Sequence, residues 1–169
     1  MMATEHTIQD NFLDRDVFRF ISDQLMGAHF PWNYMAGVVG YADTPTTDDD
    51  DYYYFTHGYY RENKYWTNYG SVFDPLIDAL DVTALMRVKA NLYPNVGQHH
   101  QHGWHSDFAI KHTSSILYIN SNNGYTVLED GTKIESRANR LVTFDGSLEH
   151  ASTTCTDANV RVNIGVNYI

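Results

Sequence analysis

The C-terminal half of this chain alternates apolar and polar side chains with a period of two, beginning at Leu85. Such alternation is typical of β-strands, in which successive side chains leave opposite faces. The first strand is predicted over 85–93 and is ended by the Pro94–Gly97 turn. Further strands are predicted at about 114–120, 125–129, 133–135, 141–144 and 160–168. Asp130-Gly131 predicts a hairpin between the strands at 125–129 and 133–135.

The N-terminal half carries two helical patterns. Leu13, Val17, Ile21 and Leu25 recur every four residues, which predicts a helix over 14–26 with Asp14 as N-cap and Gly27 as its end. A second helix is predicted over 71–80, with Ser71 as N-cap and Pro75 in the first turn. Tyrosine-rich strands are expected around 34–41 and 52–60, separated by a loop over 42–51.

These elements predict a mainly β fold with flanking helices, because two helices precede many short strands with turn signals. Within the sandwiches and barrels of that class, a jelly roll of two sheets is our expectation. The 169 residues suit one domain, 1–169, with a helical and tyrosine-rich part over 1–84 and a motif-bearing core over 85–169.

Composition argues against several functions. Eleven basic and 21 acidic residues give a net charge of −10, which opposes binding to nucleic acid or to an anionic membrane. No apolar run of membrane-spanning length and no N-terminal leader pattern is visible, so a cytoplasmic protein is expected. A single cysteine, Cys155, excludes an internal disulfide. The run Asp48–Asp51 is expected to be a solvated loop tip, or alternatively a surface for a basic partner.

Three side chains in the C-terminal half form a candidate metal site. His105 and Asp107 are two residues apart, so in an extended segment both leave the same face. His150 follows a strand end and a turn, where it could meet them across the fold. Two histidines and one carboxylate form the facial triad of non-heme Fe(II) oxygenases, but the same set also suits zinc. The nearby His99, His100 and His102 are expected to be solvent-exposed loop residues.

The last strand carries a polar face opposite its apolar one. If the apolar face is core, the polar face is exposed to water. Alternatively it lines a polar interior that holds a ligand, with Arg161 as a charged anchor and Gly165 leaving room. Tyr118 and Tyr93 could give phenol hydrogen bonds to the same ligand. The polar face consists of Arg161, Asn163, Gly165 and Asn167.

Taken in order, these motifs resemble those of the 2-oxoglutarate/Fe(II)-dependent dioxygenases, and most closely the prolyl 4-hydroxylase-like branch with its small bacterial and phage members. The resemblance spans about residues 85–168. One departure is Asn167, at a position where relatives often have tryptophan. The motifs that carry the resemblance are Leu92-Tyr93-Pro94, His105-Ser106-Asp107, Leu117-Tyr118-Ile119-Asn120, Asn139-Arg140-Leu141-Val142-Thr143-Phe144, His150 and Arg161.

This resemblance implies a double-stranded β-helix, that is, a jelly roll. It implies that His105, Asp107 and His150 bind Fe(II). It also implies that Arg161 pairs with the distal carboxylate of 2-oxoglutarate, with Tyr118, Tyr93 and Asn163 in the co-substrate pocket.

In such enzymes O2 and 2-oxoglutarate are consumed, succinate and CO2 are released, and a C–H bond is hydroxylated, with ascorbate as a reductant. A peptide, protein or small molecule is the expected substrate, peptidyl proline first among them, and the tyrosine-rich region 31–70 is expected to select it. Two alternatives stay open: a non-catalytic jelly-roll interaction module, and a cupin-like zinc or manganese enzyme.

Overall fold

A computed structural model describes residues 5–37 and 53–169. Two helices occur in these ranges, α1 (Arg15–Leu25) and α2 (Gly70–Leu80). No helix in the described part of the chain is both long and apolar enough to cross a bilayer. The strands are β1 (His6–Asp10), β2 (Asn33–Met35), β3 (Tyr54–Arg61), β4 (Lys64–Tyr65), β5 (Leu85–Pro94), β6 (Thr113–Tyr118), β7 (Tyr125–Leu128), β8 (Lys133–Glu135), β9 (Arg140–Asp145), β10 (His150–Ser152) and β11 (Val160–Tyr168).

Helix α1 confirms its sequence prediction. The side chain of Asp14 accepts a hydrogen bond from the backbone N–H of Asp16 at 2.9 Å, which satisfies one of the free donors of the first turn. The apolar stripe turns Ile21 and Leu25 into the core, where they are 0% and 1% exposed.

Helix α2 begins one residue earlier than predicted, and Ser71 is not its cap. Tyr69 occupies the N-cap position and makes no side-chain capping bond. Pro75 therefore lies beyond the first turn, inside the helix. The helix tolerates it because burial of Val72, Phe73 and Leu76 outweighs one missing backbone hydrogen bond.

The strands form two antiparallel sheets. The large sheet has eight strands in the order β1-β9-β6-β11-β5-β3-β2, with β4 paired to β3. The small sheet has three strands in the order β10-β7-β8. Since β11 lies between β5 and β6, the motif-bearing strands are neighbours at the centre of the large sheet. This arrangement agrees with the predicted jelly roll.

Two apolar clusters divide the molecule into layers. The first packs both helices against the outer face of the large sheet, through residues such as Phe73, Val88 and Ile164. The second lies between the two sheets and contains Tyr118 from β6 and Leu128 from β7. The motif-bearing strands thus pack their apolar outer face against the helices, and their inner face lies opposite the small sheet.

Every strand predicted from Leu85 onward is present, with small shifts at the ends. The predicted hairpin is also confirmed: β7 pairs with β8, and Gly131 adopts a φ of +86° in the turn. Strands β1, β4 and β10 were not predicted. Of the expected strand over 34–41, residues 34–35 belong to β2 and residues 38–41 lie outside the described residues, while the expected strand over 52–60 is present as β3. The predicted loop over 42–51 and the run Asp48–Asp51 lie outside the described residues.

Candidate metal centre and anion pocket

The inner face of the large sheet is a ladder of polar residues from β5 and β11. Four pairs face each other across these strands, and in antiparallel strands directly paired residues share one face. Arg161, Asn163 and Asn167 are buried, at 0%, 3% and 2% exposure. Of the two alternatives for this face, solvent exposure is therefore wrong and the polar interior is confirmed, because Arg161 is covered by the small sheet and Asn167 by the segment that carries Asp107. The pairs are Arg161–Tyr93, Asn163–Asn91, Gly165–Lys89 and Asn167–Arg87.

The fold brings His105, Asp107 and His150 together near one end of this ladder. Their candidate ligand atoms all lie within 4.8 Å of one another. His105 and His150 are held opposite each other by a two-residue β-bridge, and their ring centroids are 4.6 Å apart. Nε2 of His150 lies 3.8 Å from Oδ2 of Asp107. The backbone thus positions both imidazoles. In the turn after β9, the carbonyl oxygen of Gly146 accepts a hydrogen bond from the backbone N–H of Asp107.

The hydrogen bonds of the two histidines decide which ring nitrogen could bind a metal. Nδ1 of His105 lies 3.3 Å from the carbonyl oxygen of Gly103, and Nδ1 of His150 lies 3.1 Å from that of Leu148. A carbonyl oxygen only accepts, so in a hydrogen-bonded neutral ring Nδ1 carries the proton. Nε2 then keeps its lone pair, as a metal-binding histidine requires.

Asp107 is held by three side chains. Arg87 donates to Oδ1 through its guanidinium, and both members of this ion pair are largely buried. Ser114 Oγ and Asn167 Nδ2 donate to Oδ2 at 2.6 and 2.7 Å. Asn167 also accepts from Nε of Arg87 at 2.9 Å. These contacts leave the carboxylate with little freedom to rotate, which favours a fixed ligand geometry.

The protonation states suit a divalent cation. Burial, together with the neighbouring His150, lowers the pKa of His105 to about 4. Burial likewise lowers the pKa of His150. Burial would raise the pKa of Asp107, but the charge of Arg87 and the hydrogen bond from Ser114 help to hold it well below its usual range. At neutral pH the site offers two neutral imidazoles and one carboxylate, a set suited to Fe(II) or Zn(II).

Arg161 forms the floor of the same interior and is fully buried. Its Nε donates to Ser136 Oγ at 2.7 Å and its Nη2 donates to Thr126 Oγ1 at 3.0 Å. The guanidinium carbon lies 5.3 Å and 5.5 Å from the ring centroids of Tyr93 and Tyr118. Within residues 5–37 and 53–169, Arg161 has no carboxylate partner. A buried guanidinium without a counterion is costly, and its planar donor fork fits a carboxylate ligand.

The other predicted pocket residues lie close to Arg161. The hydroxyl of Tyr118 donates to Thr126 Oγ1 at 2.8 Å, so both Tyr118 and Arg161 contact the same threonine. Tyr93 stacks on Tyr54 at 5.6 Å between centroids. Asn163 accepts from Asn91 Nδ2 at 3.0 Å, which leaves Oδ1 of Asn91 buried and without a hydrogen-bond partner among the described residues.

The sequence analysis did not identify several residues of the interior as part of the site, among them Arg87, Lys89 and His102. Arg87 and Lys89 alternate with Met86 and Val88, so the strand pattern already places them on the face of Tyr93. His102 was expected to be exposed, like its neighbours. It is 1% exposed because its Nδ1 lies 3.0 Å from Ser152 Oγ on β10 and its ring packs on Tyr93. His99 is exposed as expected, and His100 is partly buried.

Comparison with known proteins gives structural matches only. No protein-family model and no curated protein matches the sequence. A prolyl hydroxylase from Trichoplax adhaerens, in complex with a hypoxia inducible factor oxygen degradation domain peptide fragment, has a TM-score of 0.71 at 14% identity over 99% of this chain and 84% of that one. A prolyl-4-hydroxylase from Pseudomonas putida has a TM-score of 0.63 at 17% identity, with 98% and 93% of the two chains covered.

An oxidoreductase of the 2OG-Fe(II) oxygenase family from Burkholderia pseudomallei is also similar. Its TM-score is 0.64 at 14% identity, over 96% of this chain and 84% of that one. The chain therefore has the fold of prolyl hydroxylases and 2OG-Fe(II) oxygenases, which confirms the predicted jelly roll.

Proposed function

We propose that the chain is a 2-oxoglutarate- and Fe(II)-dependent dioxygenase that hydroxylates an unactivated C–H bond. The observation that carries this proposal is the joint presence, in one polar interior, of the His105, Asp107 and His150 cluster and the buried Arg161, which has no counterion among the described residues. The balanced reaction is R–H + 2-oxoglutarate + O2 → R–OH + succinate + CO2. The fold shared with 2OG-Fe(II) oxygenases supports the same reaction class.

In this proposal, Nε2 of His105, Nε2 of His150 and a carboxylate oxygen of Asp107 hold Fe(II). Bound Fe(II) supplies the O2 activation that no protein side chain can provide. The contacts of Arg87, Ser114 and Asn167 keep the carboxylate of Asp107 in place and ionised. Three protein ligands leave the remaining positions for the co-substrate and O2.

Arg161 would hold the distal carboxylate of 2-oxoglutarate. Its guanidinium is oriented by Ser136 and Thr126, so binding does not have to order a flexible side chain. The rings of Tyr93 and Tyr118 exclude water around it and strengthen the ion pair in the low-dielectric interior. In this proposal Tyr118 acts mainly through Thr126, and Asn163 and Asn91, which are hydrogen-bonded to each other, would line the wall beside the carbon chain of the co-substrate.

Peptidyl proline is the first substrate to test. Two of the similar structures are prolyl hydroxylases, and one of them holds a peptide fragment. Trp66 and Trp104 are 57% and 41% exposed, and exposed aromatic rings suit proline-containing segments. A proline-rich peptide library, analysed by mass spectrometry for one added oxygen atom, checks this finer assignment.

The reaction class is tested by succinate release from 2-oxoglutarate in the presence of Fe(II), O2 and ascorbate. The protein is purified anaerobically, its metal is identified, and 2-oxoglutarate is titrated into the wild type and an Arg161→Ala variant. We expect Fe(II) binding by both proteins, and 2-oxoglutarate binding by the wild type alone. An absence of turnover together with no affinity for Fe(II) or 2-oxoglutarate would overturn the proposal.

The same experiment separates the two alternatives. Zinc or manganese bound without affinity for 2-oxoglutarate would indicate a cupin-like metal enzyme. A protein that binds neither metal nor 2-oxoglutarate would be a non-catalytic interaction module. Ascorbate dependence is read from the same assay by omitting ascorbate, which should shorten the period of linear turnover.

A further inference from the structure

Three cations lie on the inner face of the large sheet, although the chain as a whole has a net charge of −10. Two of them have a role in the site described above. Arg87 is paired with Asp107, and Arg161 binds the distal carboxylate of 2-oxoglutarate in the proposed function. The third is Lys89, which lies between them on β5. It belongs to the same face because it alternates with outward-facing Val88 and Ala90, which are 0% exposed in the core under the helices.

The ammonium group of Lys89 makes no hydrogen bond and no ion pair with any residue of 5–37 and 53–169. Burial and the nearby charge of Arg87 lower its pKa to about 8, and the attraction of Asp107 offsets this only partly. Lys89 therefore remains cationic at neutral pH in surroundings that disfavour its charge. A cation in this position is stabilised by an added anion.

Open space lies beside Lys89 in both neighbouring strands. Its paired residues are Gly165 on β11 and Gly58 on β3. A Cβ atom on Gly165 would meet only the carbonyl oxygen of Lys89, at 3.9 Å. A Cβ atom on Gly58 would meet only Trp66, at 3.6 Å. Two glycines flanking one lysine leave a slot on the inner face that side chains would otherwise fill.

The slot beside Lys89 is open towards solvent, whereas the part of the interior at Arg161 is closed to solvent. Lys89 is partly exposed, and Arg161 is 0% exposed. The Trp66 ring, which borders Gly58 on the face shared with Lys89, is 57% exposed. Lys89 pairs with Gly165, which lies four residues from Arg161 on β11, a separation of about 13 Å along the strand. A co-substrate held at Arg161 is therefore distinct from a ligand that enters at Lys89.

We propose that Lys89 binds a carboxylate of the primary substrate, in the slot formed by Gly58, Gly165 and Trp66. The inference rests on the proposed dioxygenase function and narrows its substrate class to molecules that carry a carboxylate near the oxidised C–H bond. Two sources fit this chemistry: the carboxylate of a free amino acid, and an acidic side chain beside proline in a peptide. Lys89 lies two residues from Arg87 on the same face of β5, and Arg87 is paired with Asp107, so a carboxylate bound at Lys89 would lie near the metal cluster and the reacting carbon.

The experiment uses matched pairs in which a carboxylate is replaced by a carboxamide. One arm contains the free L-amino acids and their amides. The other contains proline peptides with Asp or Glu beside proline, each paired with its Asn or Gln counterpart. Binding to full-length protein loaded with Mn(II) and N-oxalylglycine is measured by ligand-observed NMR, and substrate-stimulated succinate release is measured with Fe(II). The proteins are the wild type, Lys89→Met and Lys64→Met, which removes an exposed lysine of β4 as a matched control.

We expect the wild type to bind at least one acid about tenfold or more tightly than its amide, since a hydrogen bond to a charged group is worth about this factor. Lys89→Met should abolish that preference, keep its affinity for 2-oxoglutarate, and melt at the same or a higher temperature because an unpaired charge is gone. Lys64→Met should behave like the wild type. The arm in which the preference appears identifies the source of the carboxylate.

Three results would overturn the inference: amides that bind as well as acids, no acid that binds in either arm, or an acid preference that survives Lys89→Met. A large loss of 2-oxoglutarate affinity in Lys89→Met would also overturn it, because Lys89 would then belong to the co-substrate site. Failure of the dioxygenase proposal is recognised separately, since the wild type would then fail to bind metal and 2-oxoglutarate.

Discussion

Arg87 and Asp107 form a buried ion pair at the candidate metal centre, with side chains only 13% and 11% exposed. The pair connects β5 to the loop that carries His105, and Asn167 of β11 contacts both partners. A carboxylate that is ion-paired, hydrogen-bonded and adjacent to two imidazoles is held in place before any metal binds. Preorganisation of this kind is what a metal site requires of its surrounding residues.

Replacing Arg87 with methionine should destabilise the metal-free protein by about 3 kcal/mol, because Asp107 is left buried without its cation. Saturating Mn(II) should restore a large part of this loss, since a bound cation neutralises Asp107 again and binding at 100 times Kd contributes about 2.7 kcal/mol. Thermal or urea unfolding with and without Mn(II) measures both effects.

The matched control is Arg137→Met, which removes an exposed arginine paired with Glu135, the two side chains being 57% and 67% exposed. That change should alter the free energy of unfolding by no more than about 0.5 kcal/mol, with or without metal. If the stability deficit of Arg87→Met relative to Arg137→Met is the same with and without saturating Mn(II), Asp107 does not face the metal.

His105→Ala should abolish succinate release while the protein remains folded. The imidazole is partly exposed, and its one hydrogen bond within the described part of the chain is a long contact to Gly103, so its removal costs little stability. The loss of one of three ligands should weaken Mn(II) binding by about 100-fold or more, which is measured by electron paramagnetic resonance. His29→Ala, at an exposed position after α1, is the control and should retain activity. Wild-type turnover in His105→Ala would disprove the ligand assignment.

The strand pattern predicted most of the fold, because buried strands at the centre of a sheet must keep a strict alternation. The missed strands lack that signal. β1 is a polar edge strand whose last four residues are exposed, and β10 is only three residues long. The N-cap of α2 was misplaced because Asp74, three residues after Ser71, resembled the end of a capping box. Its carboxylate instead accepts a hydrogen bond from the hydroxyl of Tyr59 at 2.6 Å.

The site was predicted only in part. Ordered motifs identified the residues that the fold brings together, but they could not show which other side chains complete the interior. Alternation places Arg87 and Lys89 on one face of their strand, but alternation alone does not tell which face a second sheet covers. His102 looked like a loop residue, since its partner Ser152 is 50 positions away along the chain. Both errors have one cause: the small sheet is assembled from residues far apart in sequence.

Gly124→Ala should reduce affinity for 2-oxoglutarate and leave metal binding intact. A Cβ atom at this position would lie 2.7 Å from Cδ of Arg161 and 2.9 Å from the backbone oxygen of Thr154. The contacting atom of Thr154 is a backbone oxygen, which cannot easily move. The side chain of Arg161 is therefore the group that shifts, and it would be displaced from Thr126 and Ser136. We expect at least about a tenfold rise in the Kd of 2-oxoglutarate and about 1–3 kcal/mol of lost stability from overpacking. Calorimetric titration of 2-oxoglutarate into Mn(II)-loaded protein measures the first effect, and an unchanged Kd would argue that Arg161 does not bind it.

Gly165→Ala differs from Gly124→Ala because the added methyl group meets no close contact among the described residues. Its Cβ would make only an ordinary contact of 3.9 Å with the carbonyl oxygen of Lys89. Alanine also reduces the entropy of the unfolded chain, so stability should be unchanged or higher by up to about 1 kcal/mol. The methyl group nevertheless occupies the slot beside Lys89. Turnover of the primary substrate should therefore fall, through a higher KM, while uncoupled succinate release and the Kd of 2-oxoglutarate stay close to wild type. If substrate KM is unaffected in a variant that folds normally, the substrate does not pass beside Lys89, and the slot is only a gap in packing.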